Sequence, residues 1–262
     1  MIDLDAYARD GFAILRDFVP AAECEALKAR AEELVAHWTP GAKPTRFSTR
    51  DQAHARDRYF RDSGDKICFF VEDETPDRLN KIGHALHDID PAFNRFSRHP
   101  RFAALAAELG MRQPLLLQST YLFKERLVGG EVAWHQDATY LRTDPPSVVG
   151  LWLALDDADR DNGCLLALRG GHRGPLRQWF GYQGDDLVTR TLDITPWPKA
   201  EPVALEVRRG TLVVLHGLLP HASAPNRSER PRRAYAMHLI DGTARYEADN
   251  WLQRDMPLRG FA

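Results

Sequence analysis

The sequence predicts a mainly β fold with flanking helices, an α+β protein whose strands form a sandwich or barrel. Two patterns support this prediction. Stretches with helical spacing of apolar residues fall within about residues 1–112, and short apolar runs separated by turn residues follow from residue 115. No internal repeat, low-complexity segment or Gly/Ser-rich linker divides the chain. We therefore expect a single domain over residues 1–262 with a helical N-terminal part.

Three stretches of the N-terminal part are predicted helices. The first runs from Pro20, which suits a first helical turn, to about Trp38, and its apolar residues recur at helical spacing. The other two cover residues 77–90 and 100–110. Residues 40–66 are rich in charge and irregular in pattern, so no element is predicted there.

The second part of the chain is predicted to form strands. Each predicted strand is a short apolar run, and together they cover residues 115–123, 148–155, 164–168, 203–207, 211–215 and 233–240. Turn residues separate several of these runs, as at Gly129-Gly130 and Gly170-Gly171. Short strands joined by such turns are typical of a sandwich or barrel, with the helices packed outside it.

Composition and charge exclude several classes of protein. The chain has a net charge of -2, so it lacks the basic excess that nucleic-acid binders show. Its acidic N-terminus, Met1 to Asp5, lacks the apolar core of a secretory signal, and its longest apolar run is far too short to span a bilayer. The widely spaced Cys24, Cys68 and Cys164 form no disulfide framework. We expect a cytoplasmic protein with reduced thiols.

The most informative short motif is Trp134-His135-Gln136-Asp137. On an extended chain, residues two apart project to the same face, about 6–7 Å apart along the backbone. The side chains of His135 and Asp137 can therefore converge on one metal ion. This pair alone is weak evidence, because His-x-Asp occurs often by chance.

A second polar group follows the predicted strand 211–215. His221 comes after a turn and can supply a second imidazole, although His216, at the end of the strand, is an alternative. Two histidines and one carboxylate form the facial triad of non-haem Fe(II) oxygenases, which leaves metal positions open. Arg232 and Arg233 follow, and one guanidinium near such an ion can hold a dicarboxylate cosubstrate through a bidentate pair.

Several longer strings together resemble the phytanoyl-CoA dioxygenase (PhyH) family of Fe(II)/2-oxoglutarate-dependent oxygenases. In chain order they are DGFAILRDFVP, DKICFF, NKIGHALH, GGEVAWHQD, DNGCLLAL, the segment from GTLVVLHG to AYAMHLID, and NWLQ. NKIGHALH and NWLQ resemble the phytanoyl-CoA dioxygenase domain-containing subgroup in particular. The resemblance implies a double-stranded β-helix, which is a cupin-like jelly roll, over nearly the whole chain.

The resemblance also implies roles for individual residues. The metal ligands would be His135, Asp137 and His221. Arg232 would bind the distal carboxylate of 2-oxoglutarate, and the Ser223 hydroxyl would add a donor to it. Thr120 and Trp152 match pocket positions around the cosubstrate, and Lys81 matches a lysine that reaches 2-oxoglutarate in the subgroup. Gln118 is a further pocket candidate because it lies two residues before Thr120 and so on the same face of the predicted strand.

The implied activity is hydroxylation of an unactivated C–H bond in a small organic substrate. Fe(II) would be the metal, 2-oxoglutarate and O2 would be consumed, and succinate and CO2 would be released. Asp137 argues against a halogenase, in which chloride replaces the carboxylate. Two alternatives stay open: a non-catalytic protein that binds 2-oxoglutarate or another small molecule, and a cupin-type metal enzyme that never uses 2-oxoglutarate. The motifs name neither the substrate nor the oligomeric state.

Three further features have more than one interpretation. The turn at 168–172 reads LRGGH where many relatives have Pro-Gly-Ser-His, so it could face a different substrate. His84 and His87, three apart in the predicted helix, are interpreted as ordinary polar positions, with His84 near the pocket. The basic segment 43–61 is interpreted as a solvated face, with a lid or a phosphate site for coenzyme A as alternatives.

Overall fold

The computed structural model describes residues 1–41, 44–48 and 53–261. Its helices are α1 (Leu4–Asp10), α2 (Ala21–Ala36), α3 (Arg58–Arg61), α4 (Leu86–Ile89), α5 (Pro91–Ser97) and α6 (Pro100–Glu108). Single 3-10 turns lie at Ala53–Arg56, Asp137–Thr139 and Gly171–Arg173. The strands are β1 (Phe12–Leu15), β2 (Arg46–Phe47), β3 (Ile67–Glu72), β4 (Leu79–His84), β5 (Pro114–Leu122), β6 (Val132–His135), β7 (Thr143–Asp144), β8 (Val149–Ala154), β9 (Leu165–Ala167), β10 (Gln178–Gln183), β11 (Asp186–Thr191), β12 (Val203–Leu205), β13 (Leu212–His216), β14 (His221–Ser223), β15 (Ala234–Asp241) and β16 (Arg245–Tyr246).

Two β-sheets form the body of the described protein. The larger has the strand order β1-β13-β8-β15-β5-β4-β3-β2, and the smaller has the order β12-β9-β14-β6. Side chains from both sheets share one apolar core, with Trp152 and Leu215 from the larger sheet and Leu165 and Ala167 from the smaller. Two sheets packed face to face are the jelly-roll arrangement, so the predicted fold class is confirmed.

Helices cover the outer face of the larger sheet. The burial of β8 and β15 explains this, because both strands are apolar on both faces. Even-numbered residues of β8 and β15 face the smaller sheet, and odd-numbered ones pack against the helices. The outer core joins Leu151, Leu153, Tyr235 and Met237 of the sheet to Leu27, Phe93 and Phe102 of α2, α5 and α6.

The predicted helix over residues 77–90 is wrong in its first half. Leu79–His84 form β4, which is hydrogen-bonded to β3 on one side and to β5 on the other, and only Leu86–Ile89 are helical. Pairing along both edges outweighs a weak local preference for helix. The N-terminal part is therefore not only helical, because β1 to β4 extend the larger sheet.

The other predicted elements are confirmed. The predicted strands appear as β5, β8, β9, β12, β13 and β15, with ends shifted by up to two residues, and the helices at 20–38 and 100–110 appear as α2 and α6. Sequence patterns missed β3 and the two-stranded ribbon of β10 and β11. They also missed the short strand and helix inside the charged segment 40–66.

A buried ion cluster ties the C-terminal segment to α4. Asp88, whose side chain is 3% exposed, pairs with Arg98 at 2.6 Å and also with Arg254 and Arg259. Arg254 pairs in addition with Asp65 at 2.8 Å. This cluster fixes the segment that begins at Trp251, one wall of the cavity described below.

The structure also bears on membrane-spanning helices and on the three cysteines. No helix in the described ranges is long and apolar enough to cross a bilayer. Cys24, Cys68 and Cys164 are buried free thiols, and burial raises the pKa of Cys24 and Cys164 to about 11. A thiol in such surroundings is protonated and behaves as a small apolar side chain.

Candidate active site

Two strands of the smaller sheet bring His135, Asp137 and His221 together. His135 ends β6 and is paired across the sheet with His221, which begins β14. Asp137 begins the 3-10 turn that follows β6. Its Oδ1 atom lies 3.6 Å from Nε2 of each histidine. That spacing is too long for a hydrogen bond but suits ligands that share one ion, since atoms about 2.1 Å from an ion lie at most about 4.2 Å apart.

Backbone carbonyls fix the tautomers of both histidines. The Nδ1–H of His135 donates to the carbonyl oxygen of Ala133 at 2.8 Å, and the Nδ1–H of His221 donates to that of Leu219 at 3.0 Å. A carbonyl can only accept, so each ring keeps its Nε2 lone pair free on the side that faces Asp137. Such outer hydrogen bonds are typical of metal-binding histidines.

The charges of this group also suit a cation. Burial alone would raise the pKa of Asp137, but the nearby His221 and His238 rings outweigh it and hold that pKa well below its usual range. Burial lowers the pKa of His221 to about 4, so its imidazole is neutral at physiological pH. A buried carboxylate and a neutral imidazole are the protonation states that metal binding needs. The donor set therefore fits an iron ion.

A buried cation lies beside this group. Arg232 is 2% exposed, and its Nε and Nη1 atoms have no hydrogen-bond partner among the described residues. Its guanidinium lies 5.3 Å from the ring centre of Trp152, and burial lowers its pKa to about 10. The Ser223 hydroxyl and the Trp152 indole nitrogen are buried and unpartnered too. Donors left unpaired around a buried cation fit a carboxylate.

Gln118 and Thr120 lie on the interior face of β5. Thr120 is paired with Ala236 of β15, which is paired with Trp152 of β8, so the three form one row across the sheet. Gln118 lies in the adjacent row, and its Nε2 is 3.4 Å from the Thr120 hydroxyl. Ala236 has a small side chain, so space is left between Thr120 and Trp152.

Lys81 enters the same interior from β4, not from a helix. It is paired with Leu122 of β5 and is 7% exposed. Its Nζ atom lies 3.2 Å from the ring centre of Phe47 and 5.3 Å from that of Phe70. Burial holds the pKa of Lys81 well below its usual value. Among these contacts, the groups that can stabilise a positive charge on Lys81 are the faces of the aromatic rings.

One cavity of about 570 Å³ joins these groups. Its wall includes His135, Asp137, His221, Ser223, Arg232, Lys81, Gln118, Thr120 and Trp152, which are all the site residues that the sequence indicated. Part of its wall is aromatic and includes Phe47, Phe60, Tyr140, Phe180 and Trp251. A volume of this order holds a small organic molecule in addition to a five-carbon dicarboxylate.

Comparison with known proteins decides the family. A family model described as Phytanoyl-CoA dioxygenase (PhyH) matches residues 7–234 of the chain. The chain belongs to this family. It is 36% identical to the phytanoyl-CoA dioxygenase of Arabidopsis thaliana, over 96% of this chain and 92% of that protein. It is 42% identical to phytanoyl-CoA dioxygenase domain-containing protein 1 of Mus musculus, over 95% of this chain and 93% of that protein.

Solved structures share the fold of this phytanoyl-CoA dioxygenase family member. The epimerase SnoN, solved with Fe3+, alpha ketoglutarate and nogalamycin RO, matches with a TM-score of 0.67 and 22% identity, over 92% of this chain and 83% of that one. EctD from S. alaskensis, solved with 2-oxoglutarate and 5-hydroxyectoine, also gives 0.67 and 22%, over 93% and 76%. At the level of the family, the predicted enzyme class, a dioxygenase that uses iron and 2-oxoglutarate, is confirmed.

The alternative histidines of this family member lie elsewhere. His216 Nδ1 accepts from the backbone N–H of Leu218 at 3.1 Å, and the residue is not part of the cavity wall. His84 and His87 are fully buried, not ordinary polar positions on one helix. His84 ends β4 and bonds to Ser63 at 2.8 Å, whereas His87 lies in α4 and bonds to Ser119 at 2.9 Å. These hydrogen bonds are structural.

The turn at 168–172 and the described arginines of the basic segment 43–61 also lie outside the cavity wall, although Phe47 and Phe60 of that segment line it. Arg169 pairs with Asp10 at 3.0 Å, and His172 packs against Gly11, so both contact the end of α1 and neither lines the cavity. In the basic segment, Lys43 and Arg50 lie outside the described residues. No described basic side chain between positions 44 and 61 lines the cavity apart from His54. Arg233, the rival of Arg232, pairs with Glu125 at 3.4 Å near the surface.

Sequence patterns missed two polar groups of the cavity. Lys124 is 4% exposed, and its amine donates to the carbonyl oxygens of Gly130 and Ala224 at 2.6 and 2.7 Å. His238 of β15 lies with its Nε2 3.3 Å from Asp137 Oδ2. Side chains alternate between the two faces of a strand, and His238 lies an even number of residues after Arg232. This spacing could have predicted that His238 faces the cavity together with Arg232.

Proposed function

We propose that this chain is an Fe(II)- and 2-oxoglutarate-dependent oxygenase that hydroxylates an unactivated C–H bond of a small organic substrate, with release of succinate and CO2. One observation carries the proposal. Two histidines with free Nε2 atoms and one buried carboxylate converge next to an unpaired buried guanidinium, in one cavity. Burying the Arg232 cation without a partner costs free energy, and a metal ion alone would not offset that cost. A bound carboxylate would offset it.

The residues that would hold the metal are His135, Asp137 and His221. Bound iron, together with 2-oxoglutarate and O2, supplies the oxidising chemistry of this family. The Nδ1–H bonds of the two histidines keep the rings from turning, so the ligand atoms are positioned before the ion arrives. Three ligands on one side of an ion leave the other side for cosubstrate and oxygen.

Arg232 would bind the distal carboxylate of 2-oxoglutarate through two parallel N–H bonds. The Ser223 hydroxyl and the Trp152 indole N–H would donate to the same end, since both are buried and lack partners. Thr120 and Gln118 line the same cavity as Arg232 and the proposed metal ligands, and Lys81 lines it from β4.

The aromatic wall would hold the substrate. Phe60 and Trp251 are stacked at 4.5 Å between ring centres, and Phe180 and Tyr140 continue the wall to within 5.9 Å of the His135 ring. Such a wall excludes water and binds apolar carbon skeletons. We therefore expect a compact substrate whose reacting carbon lies against apolar rings beside the metal ligands.

Succinate formation tests this proposal. The protein is incubated with 2-oxoglutarate with and without Fe(II), in air and anaerobically, first alone and then with a panel of small organic acids and aromatic compounds. We expect succinate only when both Fe(II) and O2 are present, no succinate from His135→Ala, and retained turnover in His216→Ala. Binding of 2-oxoglutarate without succinate across the panel would favour a binding protein. No binding would favour a metal enzyme that does not use 2-oxoglutarate.

A further inference from the structure

The two carboxylate oxygens of Asp137 have different surroundings. Oδ1 lies 3.6 Å from Nε2 of His135 and from Nε2 of His221. Oδ2 is buried and has no hydrogen-bond partner among the described residues, and Nε2 of His238 lies 3.3 Å from it. One oxygen therefore faces the two metal-binding histidines, and the other faces a third histidine.

The larger sheet makes room for this third histidine. His238 of β15 is paired with Gly150 of β8, which has no side chain to separate the two groups. A Cβ atom at position 150 would lie 2.7 Å from Asp137 Oδ2 and 3.8 Å from the His238 ring. Gly150 thus leaves the gap through which the ring and the carboxylate meet. On its other side His238 is paired with Gln118, which confines the ring.

The contact also favours one tautomer of His238. A ring with its proton on Nε2 places a donor 3.3 Å from the unpartnered Oδ2 and can donate to it once the two groups are aligned, whereas the other tautomer would set two lone pairs against each other. The Nδ1 atom is buried without a partner among the described residues, which agrees with an unprotonated nitrogen more readily than with an unpaired N–H. His238 is not within the group of ligand atoms that could share one ion, which among the described residues consists of His135, Asp137 and His221.

We propose that His238 is a positioning residue that donates its Nε2–H to Asp137 Oδ2 and so keeps the carboxylate bound to the metal through Oδ1 alone. This inference rests on the proposed function. A carboxylate that bound through both oxygens would occupy an additional metal position. Holding Oδ2 away preserves the three positions that 2-oxoglutarate and O2 need.

Metal affinity tests the inference without turnover. Co(II) binding to the metal-free protein, without 2-oxoglutarate, is measured by competition with a fluorescent chelator for wild type, His238→Ala, His238→Gln and His216→Ala. Thermal unfolding of each metal-free variant checks that it is folded. We expect His238→Ala to bind Co(II) roughly 10- to 100-fold more weakly. His238→Gln should recover most of the affinity, because its side-chain amide can donate to Oδ2, and His216→Ala should match wild type.

A further variant disturbs the same contact from β8, the strand that is paired with His238. Gly150→Ala keeps every ligand and His238 but places a methyl group on Oδ2, so it should weaken Co(II) binding to a similar degree. Equal affinity in His238→Ala and wild type would overturn the inference. So would equal losses in His238→Ala and His238→Gln, which would mean that the ring only fills space. If wild type itself binds no metal, the proposed function fails, and that result is distinct from both.

Discussion

Arg232→Met should stabilise the ligand-free protein and abolish cosubstrate binding. The ordinary pKa of arginine is about 12.5 or above, and one pKa unit is worth about 1.4 kcal/mol. Because burial lowers the pKa of Arg232 to about 10, its charge is disfavoured by roughly 3 kcal/mol. The contact with the Trp152 ring is worth about 0.5–2 kcal/mol and offsets part of this cost. Methionine keeps an apolar stem of similar length, so we expect a net gain of about 1–2 kcal/mol.

Two measurements test the expected gain in stability and the expected loss of cosubstrate binding. The midpoint of thermal unfolding of the metal-free, cosubstrate-free variant should rise by about 3–6 °C. Two charge-assisted hydrogen bonds are worth about 3 kcal/mol or more, so 2-oxoglutarate should bind the Mn(II)-loaded variant about 100-fold more weakly or worse by calorimetry. A lower unfolding temperature, or an affinity within about threefold of wild type, would refute this reasoning.

Three further predictions concern single substitutions. His221→Ala should lose Mn(II) binding by calorimetry while His216→Ala keeps it; the reverse result would exchange their roles. Burial lowers the pKa of Lys124 to about 6. Between this pH and the ordinary lysine pKa of about 10.4, Lys124 is protonated in the unfolded chain and neutral in the folded one. The free energy of unfolding of wild type should then rise with pH by about 1.4 kcal/mol per unit between pH 7 and 9, relative to Lys124→Met, in urea titrations; parallel profiles would contradict this. Asp88→Asn should lower the free energy of unfolding by about 3–5 kcal/mol, because it leaves the buried Arg254 without its carboxylate partner. Arg259→Ala should lower it by less than about 1 kcal/mol, because the Arg259 side chain is 54% exposed. Similar losses in the two variants would mean that burial is not the cause.

Local patterns predicted most of the strands and indicated two of the residues that meet in the candidate metal site, for a physical reason. Strands buried on both faces, such as β8, are short runs of apolar residues, and such runs are visible in a single sequence. His135 and Asp137 converge because of their spacing along the chain. His221 needed more information, because only strand pairing between β14 and β6 places it beside His135.

Features that depend on cross-strand register were not predictable. Leu79–His84 carry helical spacing but form β4, because β3 and β5 supply partners on both edges. His238 gains its contact from Gly150, a residue more than eighty positions away that contributes only the absence of a side chain. Neither relation has a local signature in the sequence.

The division of the site between the two sheets has a mechanical consequence. His135 and His221, the proposed metal ligands, belong to the smaller sheet, and Arg232 precedes β15 of the larger one. A molecule of 2-oxoglutarate that reaches from the ion to Arg232 would therefore act as a cross-link between the two layers of the jelly roll. Hydrogen exchange should then slow in β14 and β15 together when metal and cosubstrate are both present, and metal alone should protect chiefly β6 and β14.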